Sequence, residues 1–258
     1  MSKSNKKFSS NSSENKDNLR FYETWTFLIL FCIFVPILIR SFVYTPFHIP
    51  SGSMKPTLLI GDYIFVSKFS YGYSKYSFPF SPDIFSGRIF ASEPKRGDII
   101  VFRKPTDTSM DYIKRLVGLP GDTIQVIDGI LHINGEAVNL LPADAFIDED
   151  RNEGDKAVAT FTETLPGGVA HIILDTNPQG DLDNTPQYKV PEGHYFFMGD
   201  NRDNSQDSRV QREVGFVPLE NLIGRADLVF ISTDGELWKI WQWFRTLRAD
   251  RSFTVLSN

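Results

Sequence analysis

From Trp25 to Ile39 the chain runs fifteen residues without a charge, nearly all of them large and apolar. A run of that length and character predicts a helix buried in lipid or in a protein core, and little else. Phe42, Val43 and Tyr44 prolong it past Arg40, whose long side chain can snorkel to an interface. The charge-free core is slightly short of the ~20 residues that cross a bilayer upright, a mismatch absorbed by snorkelling and local thinning. Trp25 and Tyr44 stand where interfacial aromatics belong, and Pro36 is acceptable within such a helix. A cleaved export signal fits poorly, because the bulky residues from Phe42 to Pro50 occupy the place of small cleavage residues. A buried helix of a soluble domain is the other alternative. The reading adopted is a transmembrane anchor over residues 21–44.

The charges on either side of this run are uneven. Residues 1–20 hold Lys3, Lys6, Lys7, Lys16 and Arg20 against Glu14 and Asp17, so a chain of net charge −5 carries −8 beyond its basic start. A basic, Ser/Asn/Lys-rich tail is expected to be disordered and to stay on the cytoplasmic side, which puts everything after about Ser41 on the other side. The acidic remainder would repel phosphate, which argues against nucleic acid as a partner. Cys32, the only cysteine, lies inside the apolar run. The part beyond it therefore has no disulfide, no cysteine nucleophile and no thiolate metal site.

Beyond the anchor the signals are short strands and turns, and the predicted fold class is mainly β. Residues 62–67 and 98–103 are β-rich runs, each opened by a Gly-Asp turn, and 112–117, 123–127 and 130–133 follow the same pattern. Asp128-Gly129 between the last two is a hairpin signal. Further strands are expected at 171–174, 194–198 and 225–232. Residues 132–192, rich in Asp, Glu, Asn, Gly and Pro, read as a smaller β insertion into a catalytic core formed by 45–131 and 193–235. Residues 70–95 read as a polar-aromatic surface loop or hairpin near the membrane. The aromatic and basic segment 236–258 reads as an interfacial amphipathic helix or as a packed C-terminal helix.

Three segments carry chemistry. Ser53 lies in Pro50-Ser51-Gly52-Ser53-Met54-Lys55-Pro56-Thr57-Leu58, which on its own is most simply a turn. Lys114 lies in Tyr112-Ile113-Lys114-Arg115-Leu116. Strand alternation puts Tyr112, Lys114 and Leu116 on one face. If that face meets the core, Lys114 enters an apolar setting while Arg115 points outward. Burial lowers a lysine pKa and can bring it into the range of a general base, which arginine cannot reach. The third segment is Gly199-Asp200-Asn201-Arg202-Asp203-Asn204-Ser205-Gln206-Asp207-Ser208-Arg209. It fails as a calcium loop, because Arg202 takes the place of a ligand and no frame supplies both the turn glycine and the closing Glu. It reads as a polar surface turn, or as a buttress in which Asp207 pairs with Arg209 and Ser205 orients the lysine. His48, His132, His171 and His194 keep a Ser–His hydrolase open as the rival chemistry. A membrane-anchored binding or scaffold protein is the rival without chemistry; it would be marked by a damaged Ser or Lys, and both are intact.

Taken together and in order, these segments resemble the bacterial type I signal peptidases (leader peptidases). The resemblance covers roughly residues 20–235, and its implications fall on particular positions. The serine of Ser-Met-x-Pro-Thr-Leu, here Ser53, would be the nucleophile, and the lysine of Tyr-Ile-Lys-Arg, here Lys114, the general base. Ser51 would join the Ser53 N–H in the oxyanion hole. Ser205 would partner the lysine, braced by Asp207 and Arg209, with Asp200 a further structural acid. Phe47, Ile49, Met54, Tyr112 and Ile113 would line shallow pockets for small residues at the first and third positions before the cut. The implied activity is a membrane-bound serine endopeptidase of the bacterial inner membrane; no metal or cofactor motif is visible in the sequence, and none is expected. Its implied partners are exported preproteins with Ala-x-Ala-like sites, the lipid bilayer and, transiently, the export machinery. Val210-Gln211-Arg212-Glu213-Val214 departs from the shorter aromatic stretch that often precedes Gly-Phe-Val-Pro in the family, and the single anchor departs from members with two.

Overall fold

The structure is a computed structural model describing residues 10–83, 85–150, 154–177, 179–235 and 239–256. Helix α1 spans Ser10–Phe42. Within it Thr24–Phe42 is long and apolar enough to cross a membrane, and side chains such as Phe27, Phe31 and Phe34 are exposed rather than packed on the chain's own core. The helix begins well before the apolar run, so residues 10–20, expected to be disordered, are helical instead. No Pro or Gly interrupts that stretch, and a helix already nucleated extends at one hydrogen bond per residue. The first nine residues of the basic tail lie outside the described residues.

The strands follow in the order β1 (Tyr44–His48), β2 (Asp62–Ser67), β3 (Ile99–Lys104), β4 (Asp107–Gly118), β5 (Thr123–Ile127), β6 (Ile130–Ile133), β7 (Glu136–Ala137) and β8 (Asn139–Asp150). After these come β9 (Gly154–Thr164), β10 (Ala170–Leu174), β11 (Tyr188–Lys189), β12 (His194–Met198), β13 (Val217–Pro218), β14 (Leu222–Ser232), the short helix α2 (Trp243–Thr246) and β15 (Thr254–Val255). The protein is mainly β. One large sheet has the order β1-β2-β14-β3-β4-β12-β13, with β15 paired to β14. A four-stranded sheet, β11-β5-β6-β7, and a three-stranded sheet, β10-β9-β8, make up the remainder.

Local chemistry accounts for much of this. Asp128 and Gly129 both hold positive φ, 48° and 77°, as the tight turn between β5 and β6 requires. Strand β4 is exposed at its start and buried from Lys114 to Gly118, because both of its faces are covered there. Ile113 packs against a cluster of Ile49, Met54, Leu58, Ile64 and Val229. Tyr112 and Leu116 join Phe102 and Phe197, whose rings stand 4.6 Å apart. Each such fully buried side chain contributes about 1.5–3 kcal/mol relative to exposure.

The insertion differs from its expected limits. A boundary at 132 falls inside β6, whose sheet begins at Thr123, and the long strands β8 and β9 pair antiparallel where connectors with short strands were expected. In the C-terminal segment the helix is a single turn with Phe244 exposed on it and Trp241 exposed just before it, and the chain then returns to pair with β14. Residues 236–238 lie outside the described residues.

Candidate active site

Between β1 and β2 the chain leaves the sheet as a loop closed at its base by Ile49 N–H to Asp62 O (2.9 Å) and Gly61 N–H to Ile49 O (3.0 Å). Met54 and Leu58, fully buried, plug this loop into the core. Ser53, carried beside Met54, is 8% exposed and lies on the wall of a cleft of about 880 Å³. Ser51, Tyr112, Ile113, Lys114 and Ser205 line the same cleft.

Lys114 reaches Ser53 from the neighbouring strand. Its Nζ lies 2.7 Å from Ser53 Oγ and donates to its own neighbour's carbonyl, Ile113 O, at 3.0 Å. Burial brings the amine down to about 8, against the pull of Asp207 and Asp200, whose charges favour the ammonium form. Ser51 Oγ is 3.5 Å from Ser53 Oγ.

The Asp-rich loop braces both groups. Asn201 donates its N–H to Ser53 O and its side-chain amide to Gly52 O, each at 3.1 Å. Asp207 accepts from Arg209 Nε and Nη2 at 2.9 Å each and from Gly199 N–H at 3.0 Å. Burial alone would raise the Asp207 carboxyl; Arg209 and the Gly199 amide outweigh it and hold the pKa below the usual carboxylate value. Gly199 has no room for a side chain, since a Cβ there would press on Ser205 and stand 2.5 Å from Ser53 O. Ser205 Oγ is buried and directed to Asp207, whose charged form it favours, while the lysine's bonds go to Ser53 and Ile113.

Arg115, expected to face outward, is 2% exposed. It grips Asp200 with Nε–Oδ1 at 2.8 Å and Nη2–Oδ2 at 2.7 Å, and donates to Gly97 O at 2.9 Å. The reason is that the second face of β4 meets the Asp-rich loop rather than water, and a bidentate carboxylate makes burial of a guanidinium tolerable there. Thr57 of the nucleophile loop donates to the same Asp200 at 2.5 Å. Beyond Asp200, Arg202 pairs with Glu163 of β9 at 2.5 Å, tying the insertion to this loop. Arg115, Asn201, Thr57 and Glu163 escaped the sequence reading; the Thr-rich alternation around Glu163 was the one available signal that it lies on a strand.

Of the residues expected to line substrate pockets, Tyr112 and Ile113 stand on the cleft wall. Ile49 and Met54 are buried in the cluster beneath, with Phe47 packed against it. No histidine lines the cleft among the described residues. His48 lies against the Tyr63 ring at 4.8 Å, His132 and His194 contact backbone carbonyls, and His171 stands 3.3 Å from Glu163.

A serine hydroxyl against a buried amine of lowered pKa, in the cleft of a mainly β fold, is the arrangement of a hydrolase of the serine type. Residues 22–231 match the family described as signal peptidase, peptidase S26, and the chain belongs to that family. Signal peptidase I of Rickettsia typhi is 44% identical over 268 residues, covering 96% of this chain and 97% of the relative. Signal peptidase I of Rickettsia conorii is 43% identical with the same coverage. A solved signal peptidase I from Enterococcus faecalis is 30% identical, aligned to 52% of this chain and 97% of its own with a TM-score of 0.30. The chain is thus a serine-type peptidase that removes signal peptides.

Proposed function

We propose that Ser53 is the nucleophile and neutral Lys114 the general base of a Ser–Lys dyad. The observation that carries this reading is the 2.7 Å contact between Lys114 Nζ and Ser53 Oγ, made by a lysine brought down to about 8 by burial. The serine hydroxyl donates to the amine lone pair, and Oγ attacks the carbonyl of the scissile peptide. The Ser53 N–H and the Ser51 hydroxyl meet the oxyanion, a contribution of about 2.7–4 kcal/mol per donor in comparable sites. The ammonium formed has three protons to place. Ser53 and Ile113 O take two, and the Ser205 hydroxyl is assigned the third, with Asp207, Arg209 and Asp200 as its brace. Lys114 then protonates the leaving amine, and water clears the acyl-enzyme.

The substrate strand adds beside residues 47–51, with Phe47, Ile49, Met54, Tyr112 and Ile113 shaping pockets for an Ala-x-Ala-like site before the cut. Thr24–Phe42 anchors the site in the inner (plasma) membrane with the N-terminus cytoplasmic, beside preproteins that are themselves membrane-held and in passing contact with the export machinery. The reading uses no metal, and a chelator is expected to leave cleavage intact. The test is cleavage of a purified Ala-x-Ala preprotein in detergent by the wild type, Ser53→Ala and Lys114→Ala, with product N-termini sequenced. Cleavage by the wild type alone supports the dyad, and undiminished cleavage by either variant overturns it.

A further inference from the structure

The sheet β10-β9-β8 supplies neither member of the dyad, yet it touches both loops that hold Ser53. Its first tie is buried. Glu163 of β9 is fully buried; Arg202 Nη2 donates to it at 2.5 Å, and His171 Nε2 of β10 stands 3.3 Å away. Burial would raise the Glu163 carboxyl, but Arg202 and His171 outweigh it and hold it well below the usual carboxylate range. Arg202 is buried too, and its Nε and Nη1 have no hydrogen-bond partner among the described residues, so Glu163 is the group that holds this guanidinium. The backbone beside it is fixed to β10 as well. Leu174 N–H donates to Asp200 O at 2.8 Å, and Arg202 N–H donates to Leu174 O at 2.9 Å.

Residues 200–202, held in this way, each carry a separate duty at the site. Asp200 grips Arg115, the next residue after Lys114. Asn201 donates to Gly52 O and Ser53 O. Arg202 O accepts from Arg209 Nη2 at 2.6 Å, and that arginine clasps Asp207. The second tie reaches the nucleophile loop itself. Lys55 Nζ lies 2.5 Å from Asp148 Oδ1 of β8, with side chains only 17% and 27% exposed. Lys55 also donates its backbone N–H to Gly52 O at 3.1 Å and lays its stem against Gly52, where an added Cβ would stand 3.2 Å from Lys55 Cε. Gly52 and Ser53 are therefore held through Asn201 and through Lys55, and both holds trace back to one sheet.

A buried ion pair costs desolvation that its attraction barely offsets, so what it contributes is a fixed geometry more than stability. An error of about 1 Å in a reacting group can cost about a hundredfold in rate. We propose that the β8–β10 sheet is a positioning element of the peptidase, in which Glu163 and Asp148 act through Arg202 and Lys55 to align Ser53 with Lys114. The inference rests on the Ser53–Lys114 reading above.

The experiment measures kcat and KM separately for the full chain in detergent on a preprotein-derived peptide. The variants are Glu163→Gln, Asp148→Asn, Lys55→Asp and the charge swap Lys55→Asp with Asp148→Lys, with Ser53→Ala alongside and a thermal melt of each. Expected is a loss of kcat of about tenfold to a hundredfold in Glu163→Gln and about threefold to tenfold in the more exposed Asp148→Asn, with KM within about twofold of wild type. Lys55→Asp should fall at least as far as Asp148→Asn, and the swap should recover most of that loss, which a general loss of stability would not do. Wild-type kcat in either folded neutral variant overturns the proposal, as does a swap no faster than Lys55→Asp. A change confined to KM also overturns it, by making the sheet a substrate-binding surface. If Glu163→Gln does not fold, the Asp148 and Lys55 variants decide alone. Undiminished cleavage by Ser53→Ala overturns the dyad reading instead.

Discussion

Lowering the pH from 9 to 6 should slow the enzyme by about a hundredfold, and the size of the effect comes from the burial of one amine. With Lys114 at about 8, about half of it is neutral at pH 8, about a tenth at pH 7 and about a hundredth at pH 6. If only the neutral amine accepts the Ser53 proton, kcat/KM falls tenfold per unit below pH 8 and levels off above it. The assay is full-chain enzyme in detergent acting on a fluorogenic peptide without ionisable side chains, because kcat/KM then reports the free enzyme. The two rival bases give different curves. A histidine near 6.5 would give a plateau already at pH 7.5, and a solvent-exposed lysine near 10.4 would keep the rate climbing through pH 9. Either of those curves would refute the argument from burial.

Other outcomes follow from the same contacts. Lys114→Met should abolish cleavage yet raise thermal stability at pH 7: the folded pKa lies below the unfolded one, so stability rises with pH between about 8 and 10.4. Below that window the buried ammonium carries a fixed cost on the order of 3 kcal/mol, which the methionine removes, as a melt at pH 7 and pH 10 would check. Gly199→Ala should cut kcat at least tenfold with little change in KM, since its methyl displaces Ser53 O and Ser205; wild-type kcat in the purified variant would count against the close packing. Arg251→Ala should cost about 1–3 kcal/mol of stability and lower kcat, because it leaves the buried Asp62 carboxylate and Thr57 O each short of a donor, at 2.9 and 3.0 Å in the native chain. Denaturant titration alongside kcat measures both, and an unaltered midpoint would refute it.

Strands β2, β3, β5 and β6 were legible because they are short apolar runs beside Gly-Asp or Asp-Gly turns, a pattern fixed by local chemistry. The contact between Ser53 and Lys114 was legible only through motif resemblance, since 61 residues separate the two and nothing local joins them. Arg115 shows where alternation alone fails. Period two says which residues share a face, but not whether the opposite face meets water, and here Asp200, contributed from 85 residues away, covers it. The long β8–β9 pair was hidden by its acidic composition, which resembles that of a loop. Helix α1 ran longer than its apolar core because polar residues do not stop a helix that nothing breaks.

Arg248 and Arg251 reach back to the loop that carries Ser53. Arg248 donates to Ile60 O at 2.5 Å, and Arg251 to Thr57 O and Asp62, while Thr57 holds Asp200 and Asp200 holds Arg115 beside the lysine. During synthesis Ser53 emerges some two hundred residues before Arg251. The loop that carries Ser53 is therefore braced only after Arg248 and Arg251 have been made, and a molecule clipped before them would hold the proposed dyad without that clamp.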